Sequence, residues 1–303
     1  MFTQFSIRGL GTNEVPTVNL RMFIRGLDIF WYRYRKNRPA VLGAAIAFVI
    51  VLVALTAPLL TRYDPLATLM GPSFQEPLTY PHYFGTDSLG RDVFSGILYG
   101  TRTALMVGIL SAVTSAVVGT LVGMTAGFYP GRVDDVLMRI TETFLVIPIF
   151  FLALILMAFI GQSIRNVIMV IGLLNWPTTA RLVRADFMSI REREFVEAAE
   201  ADGEGVRQIM FREILPNVTP TIIVASTLQI SSAILLEAGL SFLGLGDPNV
   251  ASWGVMLRYA QNYIYSSWWL VFFPGLAITI TSIAFNLIGD GLNDALNPRL
   301  KER

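Results

Sequence analysis

Long apolar windows without a single charge constrain this chain more than any other feature. A membrane-spanning helix needs about 20 predominantly apolar residues. Windows free of Asp, Glu, Lys and Arg run over 39–61, 103–131, 143–164, 214–236 and 259–289. A shorter sixth, "NVIMVIGLLNWPTTA" at 166–180, is bounded by Arg165 and Arg181, whose side chains can snorkel from its ends and lengthen the usable span. The expectation is an all-α membrane protein with six transmembrane helices. Composition agrees: only 15% of the 303 residues are charged, against roughly 25% in soluble proteins. No apolar core precedes residue 39, so the first window reads as a retained helix and not as a cleaved leader.

Basic residues set the expected orientation. Of the 23 Lys and Arg, 18 fall in alternate segments outside the windows: before 39, at 129–142, at 181–213, and after 289. The remaining 5 occupy the other segments. The positive-inside rule then places both termini and the 129–142 and 181–213 loops in the cytoplasm of a multi-pass inner-membrane protein. This divides the chain into a cytoplasmic arm (1–38), a first transmembrane helix (39–61) and an extracytoplasmic loop with an interfacial amphipathic helix (62–102). A five-helix core follows (103–290), containing a cytoplasmic loop at 187–216, and then a cytoplasmic tail (291–303).

Several chemistries are excluded or weakened. Cysteine is absent, which removes disulfides, thiolate nucleophiles and cysteine metal sites. The one histidine, His82, reads as a loop residue and cannot by itself make a two-histidine metal site or a triad. A net charge of +1 argues against nucleic acid, which requires concentrated Lys and Arg. No GxxxxGK[ST] loop occurs, so ATP is not bound here in the P-loop manner. "NVT" at 217–219 is followed by Pro220 and falls at the cytoplasmic mouth, so it is discounted as a glycosylation acceptor.

Against this background the charged island "REFVEAAEADGEGVRQIMFREILPN" at 193–217 stands out. It reads as two short helices separated by Gly203 and Gly205 and ended by Pro216, which cannot continue a helical ladder. Phe195, Ala198, Ala199 and Asp202 recur at spacings of three and four, giving small and aromatic contacts on one side and carboxylates on the other. Such a face can dock into a groove; the alternative is a solvated loop whose charges only keep it out of the bilayer. Two further stretches have local readings. In "GTDSLGRDVFSGILYG" Thr86 or Asp87 is a candidate N-cap, ahead of an apolar stripe of Leu89, Val93, Phe94, Ile97 and Leu98 that suits an interfacial helix. Gly119, Gly123 and Gly127 form a GxxxGxxxG stripe that lets another helix approach closely.

The island carries a resemblance. "EAA", three residues, Gly203, and "ILP" at 214–216 is similar to the coupling-loop signature of the membrane subunits of ABC importers, except that Glu213 stands where the isoleucine is commonest. "GTDSLGRDVFSGILYGTRTAL" at 85–105, "LEAGLSFLGLGDPNVASWGVML" at 236–257 and "FNLIGDGLNDALNPRL" at 285–300 resemble the C-type permease subunit of the peptide-type (dipeptide, oligopeptide, nickel) transporters. With the coupling loop, these stretches are spread over residues 39–300. The resemblance implies the type I ABC importer fold and a permease subunit forming half of a translocation path. It implies a second homologous permease, two cytoplasmic ATPase subunits that carry ATP and Mg, and an extracytoplasmic solute-binding protein. No cofactor is expected on this chain. Coupling to the ATPases is expected at Phe195, Glu197, Ala198, Ala199, Asp202, Gly203, Leu215 and Pro216.

The bilayer interior reads as uncharged: only Glu142 and Glu237 come near the windows, both at their ends. A proton- or sodium-coupled carrier would carry acidic groups and an inverted repeat at the midplane, and no such repeat is found. Di- or oligopeptides suit a polar, uncharged path, since backbone recognition is common to every sequence. A nickel complex or an oligosaccharide remains the alternative cargo. An intramembrane enzyme lacks its motifs, and a channel or secondary carrier finds little support.

Overall fold

A computed structural model describes residues 20–296, with side chains from residue 28 onward. The described chain is helical throughout, apart from loops and isolated β-bridges. The helices are α1 (Leu20–Lys36), α2 (Arg38–Leu60), α3 (Val93–Phe128), α4 (Arg132–Val146), α5 (Ile149–Ile160), α6 (Ile164–Arg191) and α7 (Glu194–Ala201). A short α8 (Val206–Gln208) runs through a π-helical turn (Ile209–Ile214) into α9 (Leu215–Phe242), followed by α10 (Trp253–Ala260) and α11 (Trp269–Leu296). The arm before residue 20 and the tail after 296 lie outside the described residues.

Four helical runs are long and apolar enough to cross a membrane: α2, α3, Val206–Phe242 and α11. A fifth arises if α4 and α5, bent by 88° at their junction, count as one span. The sixth expected span rests on α6, which has the length at 28 residues but carries Arg181, Arg184 and Asp186 in its second half. α6 nevertheless lies at the centre of the bundle, with Val167, Ile171, Ala180, Val183 and Phe187 buried.

The glycine stripe explains that centrality. A Cβ on Gly119 would lie 2.6 Å from Thr179 Cβ, one on Gly123 2.8 Å from Val183 Cβ, and one on Gly127 2.6 Å from Phe187 Cβ. α3 and α6 therefore meet backbone to backbone, the geometry that small residues four apart permit. Gly172 on α6 repeats the device in reverse against Thr114. One polar contact, from Gln229 Nε2 on α9 to Thr179 Oγ1 at 2.8 Å, ties a third helix to this seam.

Element boundaries depart from the apolar windows where local chemistry intervenes. The 143–164 window is broken at Pro148: Ile147 is extended (φ −82°, ψ 125°), the conformation a following proline imposes. The 259–289 window does not begin a helix at 259. The chain leaves α10 through a 3-10 turn, with Ser266 Oγ and Ser267 N both bonded to Tyr263 O, and α11 starts at Trp269; serine offers the backbone such local alternatives to a helix. The helix expected near Thr86 or Asp87 is not a separate interfacial element. Asp87 Oδ1 accepts from Leu89 N and Arg91 N in a turn that needs Gly90 at φ +69°. The N-cap is Asp92, whose Oδ2 accepts from Ser95 N at 2.8 Å. Val93 to Leu98 are the opening turns of α3, whose 36 residues span about 54 Å at 1.5 Å per residue. That exceeds the ~30 Å hydrocarbon thickness, so part of the helix stands outside the membrane.

His82 sits in the loop as expected, but it is 1% exposed, with Nδ1 2.8 Å from Asp92 Oδ1. Glu237 lies within α9, short of its end, and is 3% exposed. Its Oε1 accepts from Ser241 Oγ and from Ser252 Oγ, the latter being the N-cap of α10. These two groups anchor the loops at that end of the bundle.

Candidate coupling site

The charged island folds as α7, a turn, and the helical run that becomes α9. Its entry is fixed by Arg191, the last residue of α6, whose guanidinium donates to Phe128 O at 2.7 Å and lies 5.0 Å from that ring's centroid. Phe128 ends α3, where a carbonyl would otherwise lack a partner, so one side chain joins two helix ends. The exit is fixed by Thr221 Oγ1 of α9, which donates to Asp186 Oδ2 of α6 at 2.5 Å. On the same side Arg184 of α6 forks onto Asp134 of α4, with Nε–Oδ1 at 2.5 Å and a second bond at 2.6 Å.

α7 is only 8 residues long, too short to persist alone in water. Val196 holds it, fully buried among Met124, Phe128, Val183, Phe187 and Ile214. Glu194 and Glu197 occupy its first turn, where carboxylates complement the helix dipole. The helix ends in a Schellman motif: Glu204 N donates to Ala199 O and Gly203 N to Glu200 O, both at 3.1 Å, with Gly203 at φ +80°. Glycine at that position accommodates the left-handed turn without a Cβ penalty. Gly205, at φ −70° and ψ 148°, is in ordinary extended backbone.

The site residues expected from the sequence divide into two sets. Glu197, Ala198, Asp202, Gly203 and Pro216 are exposed. Phe195, Ala199 and Leu215 are half-buried against the chain's own core. The stripe of Phe195, Ala198, Ala199 and Asp202 is therefore not one free face. The outward surface of α7 carries Ala198 and Ala201 among the carboxylates of Glu194, Glu197, Glu200 and Asp202. The anchor, Val196, was missed because eight residues are too few to establish a period; the available signal was a lone β-branched residue inside a charged run. Pro216 does not end the second helix. The preceding π turn, closed by Leu215 N on Met210 O, leaves room for a residue without an N–H, and the proline falls at the start of α9, where its missing donor costs nothing. The whole run from Val206 to Phe242 stays helical, and Arg191 and Asp186 of α6 tie the flanks of this element to α3 and α9.

Comparison with known proteins gives this geometry a family. The family described as binding-protein-dependent transport system inner membrane component matches residues 119–302, and the N-terminal TM domain of oligopeptide transport permease C matches 27–77. Among curated relatives, the dipeptide transport system permease protein DppC of Alkalihalophilus pseudofirmus is 41% identical over 88% of both chains. The di/tripeptide transport system permease protein DppC of Pseudomonas aeruginosa is 40% identical over 91% of this chain and 93% of its own length. The dipeptide transport system permease protein DppC of Escherichia coli K12 is 40% identical over 91% and 94%. With an all-helical bundle, several apolar helices and an exposed helix-turn-helix between α6 and α9, the chain belongs to the binding-protein-dependent transport system inner membrane components, the ABC importer permease subunits of type I fold.

Proposed function

We propose that this permease forms half of the path by which an ATP-driven importer carries di- or oligopeptides into the cell. A second homologous permease supplies the other half, and an extracytoplasmic solute-binding protein delivers the cargo. Two cytoplasmic ATPase subunits, holding ATP and Mg, receive α7 and its turn. The observation that carries this reading is mechanical: α7 follows directly on α6, whose last residue Arg191 is tied to the end of α3, and leads through the Gly203 turn into the unbroken Val206–Phe242 run, which Thr221 ties back to α6. Movement of a partner gripping α7 is thereby delivered to three central helices as a rigid-body displacement. ATP binding drives transport only in so far as it favours one arrangement of those helices.

The docked surface is the exposed set, with Ala198 and Ala201 allowing close approach and Glu194, Glu197, Glu200 and Asp202 calling for a basic rim on the ATPase. Gly203 shapes the turn, while Phe195, Ala199 and Leu215 hold the element to its own bundle. Both termini and this element face the cytoplasm in this reading, following the distribution of basic residues. The peptide cargo rests on the likeness to the dipeptide and di/tripeptide permeases described above. The test is a cysteine at Ala198 in this cysteine-free chain, combined with cysteines on the ATPase: cross-linking that changes with nucleotide supports the docking, and its absence at every ATPase position removes it.

A further inference from the structure

We propose that the cleft between α2 and α3 binds one anionic phospholipid, its phosphate held by Arg62 and Arg102 and an acyl chain lying along the two helices. The cleft is an open groove of about 970 Å³, comparable in size to the upper end of the ~300–1,000 Å³ range of small-molecule sites. One part of its wall is apolar and open: Val51 and Leu55 of α2 and Met106 and Ile109 of α3 line it, and they are 39%, 71%, 40% and 42% exposed. Arg62 and Arg102 line it as well, beside Tyr63 and Tyr99.

Both arginines are exposed, and among the described residues neither forms an ion pair or donates a hydrogen bond; the Arg102 guanidinium only approaches the Tyr99 ring, at 5.9 Å. Asp64 is the single acidic residue in the lining, and its Oδ1 already accepts from Leu66 N. The cleft therefore has a cationic part without an internal partner. The sequence fixes its depth: Arg62 immediately follows the 39–61 apolar window and Arg102 immediately precedes the 103–131 window. Two guanidinium groups thus stand at one membrane–water boundary, and the apolar walls fall within hydrocarbon, whichever way the chain is inserted. A guanidinium fork matches phosphate oxygens in a bidentate manner, and tyrosines are the residues that favour the headgroup level. A phosphate with no compensating ammonium suits two arginines against one carboxylate, which selects an anionic over a zwitterionic lipid.

The experiment uses the complete transporter, reconstituted in phosphatidylcholine containing a minority of phosphatidylglycerol, re-extracted in mild detergent and washed, with retained lipid counted by mass spectrometry. The wild type is expected to keep about one phosphatidylglycerol per copy of this chain and to lose phosphatidylcholine. Arg62→Gln with Arg102→Gln should reduce that retention at least tenfold, and Leu55→Trp, which fills the apolar part, should reduce it with both arginines intact. Complex assembly and melting temperature are measured in parallel, so that lost lipid is not confused with lost fold. Equal retention of both lipids, or retention unchanged in the double variant, overturns the proposal. So does efficient cross-linking of a cysteine at Met106 to the second permease, which would mean that a protein helix fills the cleft.

Discussion

Replacing Gly203 by alanine isolates one interaction that the end of α7, the proposed coupling element, depends on. Nothing lies within 4 Å of a Cβ built on Gly203 or on Gly205, so neither substitution creates a clash and any effect is conformational. At Gly203 the backbone is at φ +80°, where an L side chain costs about 1–2 kcal/mol. Relieving that strain means giving up the two Schellman bonds from Gly203 N and Glu204 N. At Gly205, with φ −70°, alanine is compatible and reduces the entropy of the opened state, worth about 0.4–1 kcal/mol in the opposite direction. Gly203→Ala should therefore raise the local opening constant at the end of α7 by roughly 5- to 30-fold, at about 1.4 kcal/mol per tenfold. Gly203→Pro removes the N–H as well and should have a larger effect. Hydrogen exchange of the Gly203 and Glu204 amides reads this directly, with uptake in proteoliposomes as the functional companion. Exchange unchanged in Gly203→Ala, or accelerated equally by Gly205→Ala, would refute the reasoning.

Ala198→Asp puts a larger, charged side chain where the proposed contact needs close approach, and burying that carboxylate without a partner should weaken ATPase association by about 2–5 kcal/mol, some 30-fold or more; pull-down with the ATPase subunits checks it, alongside unchanged membrane insertion. Ala199→Asp, half-buried against the chain's own core, should instead lower the melting temperature of the permease itself. Gly123→Val forces a side chain between α3 and α6, where a Cβ already falls 3.1 Å from Ala180 Cα. It should cost about 1–3 kcal/mol or more, whereas Gly275→Ala, with nothing within 4 Å, should be tolerated; thermal denaturation in detergent separates the two. Single cysteines at Ser73 and Asn249, both exposed, should react with an impermeant maleimide from outside intact cells, and one at Gly205 should not; labelling of Gly205 in sealed cells would reverse the orientation.

What could be read from the sequence follows the range of the forces involved. The apolar windows and the glycine stripe are patterns within one helix, so they are visible without knowing what the helix touches. That the stripe meets Thr179, Val183 and Phe187 of α6 depends on tertiary packing and could not be read. Proline shows the same division. Pro148 breaks the 143–164 window, while Pro216 is absorbed because a π turn precedes it, and that turn has no local composition signal. The bends around Ser266 and Asp87 are local hydrogen-bond choices that hydropathy does not weigh. His82 gave no hint of burial, because its partner Asp92 is brought to it by a folded loop. In the coupling element, the turn at Gly203 was legible from residue type. The division of α7 into an inward Val196 and outward Ala198 was not, since it depends on where the ends of α3 and α6 lie.

The central claim is that this chain transports only when partner ATPases act on it through α7. The direct measurement is peptide uptake into proteoliposomes containing the two permease subunits and the binding protein, with and without the ATPase pair, in the presence and absence of ATP. The account predicts accumulation only with the ATPases and ATP together, lost in Ala198→Asp although the permease still inserts. Uptake by the permease alone, without ATP or partners, would contradict it and would favour a carrier or channel.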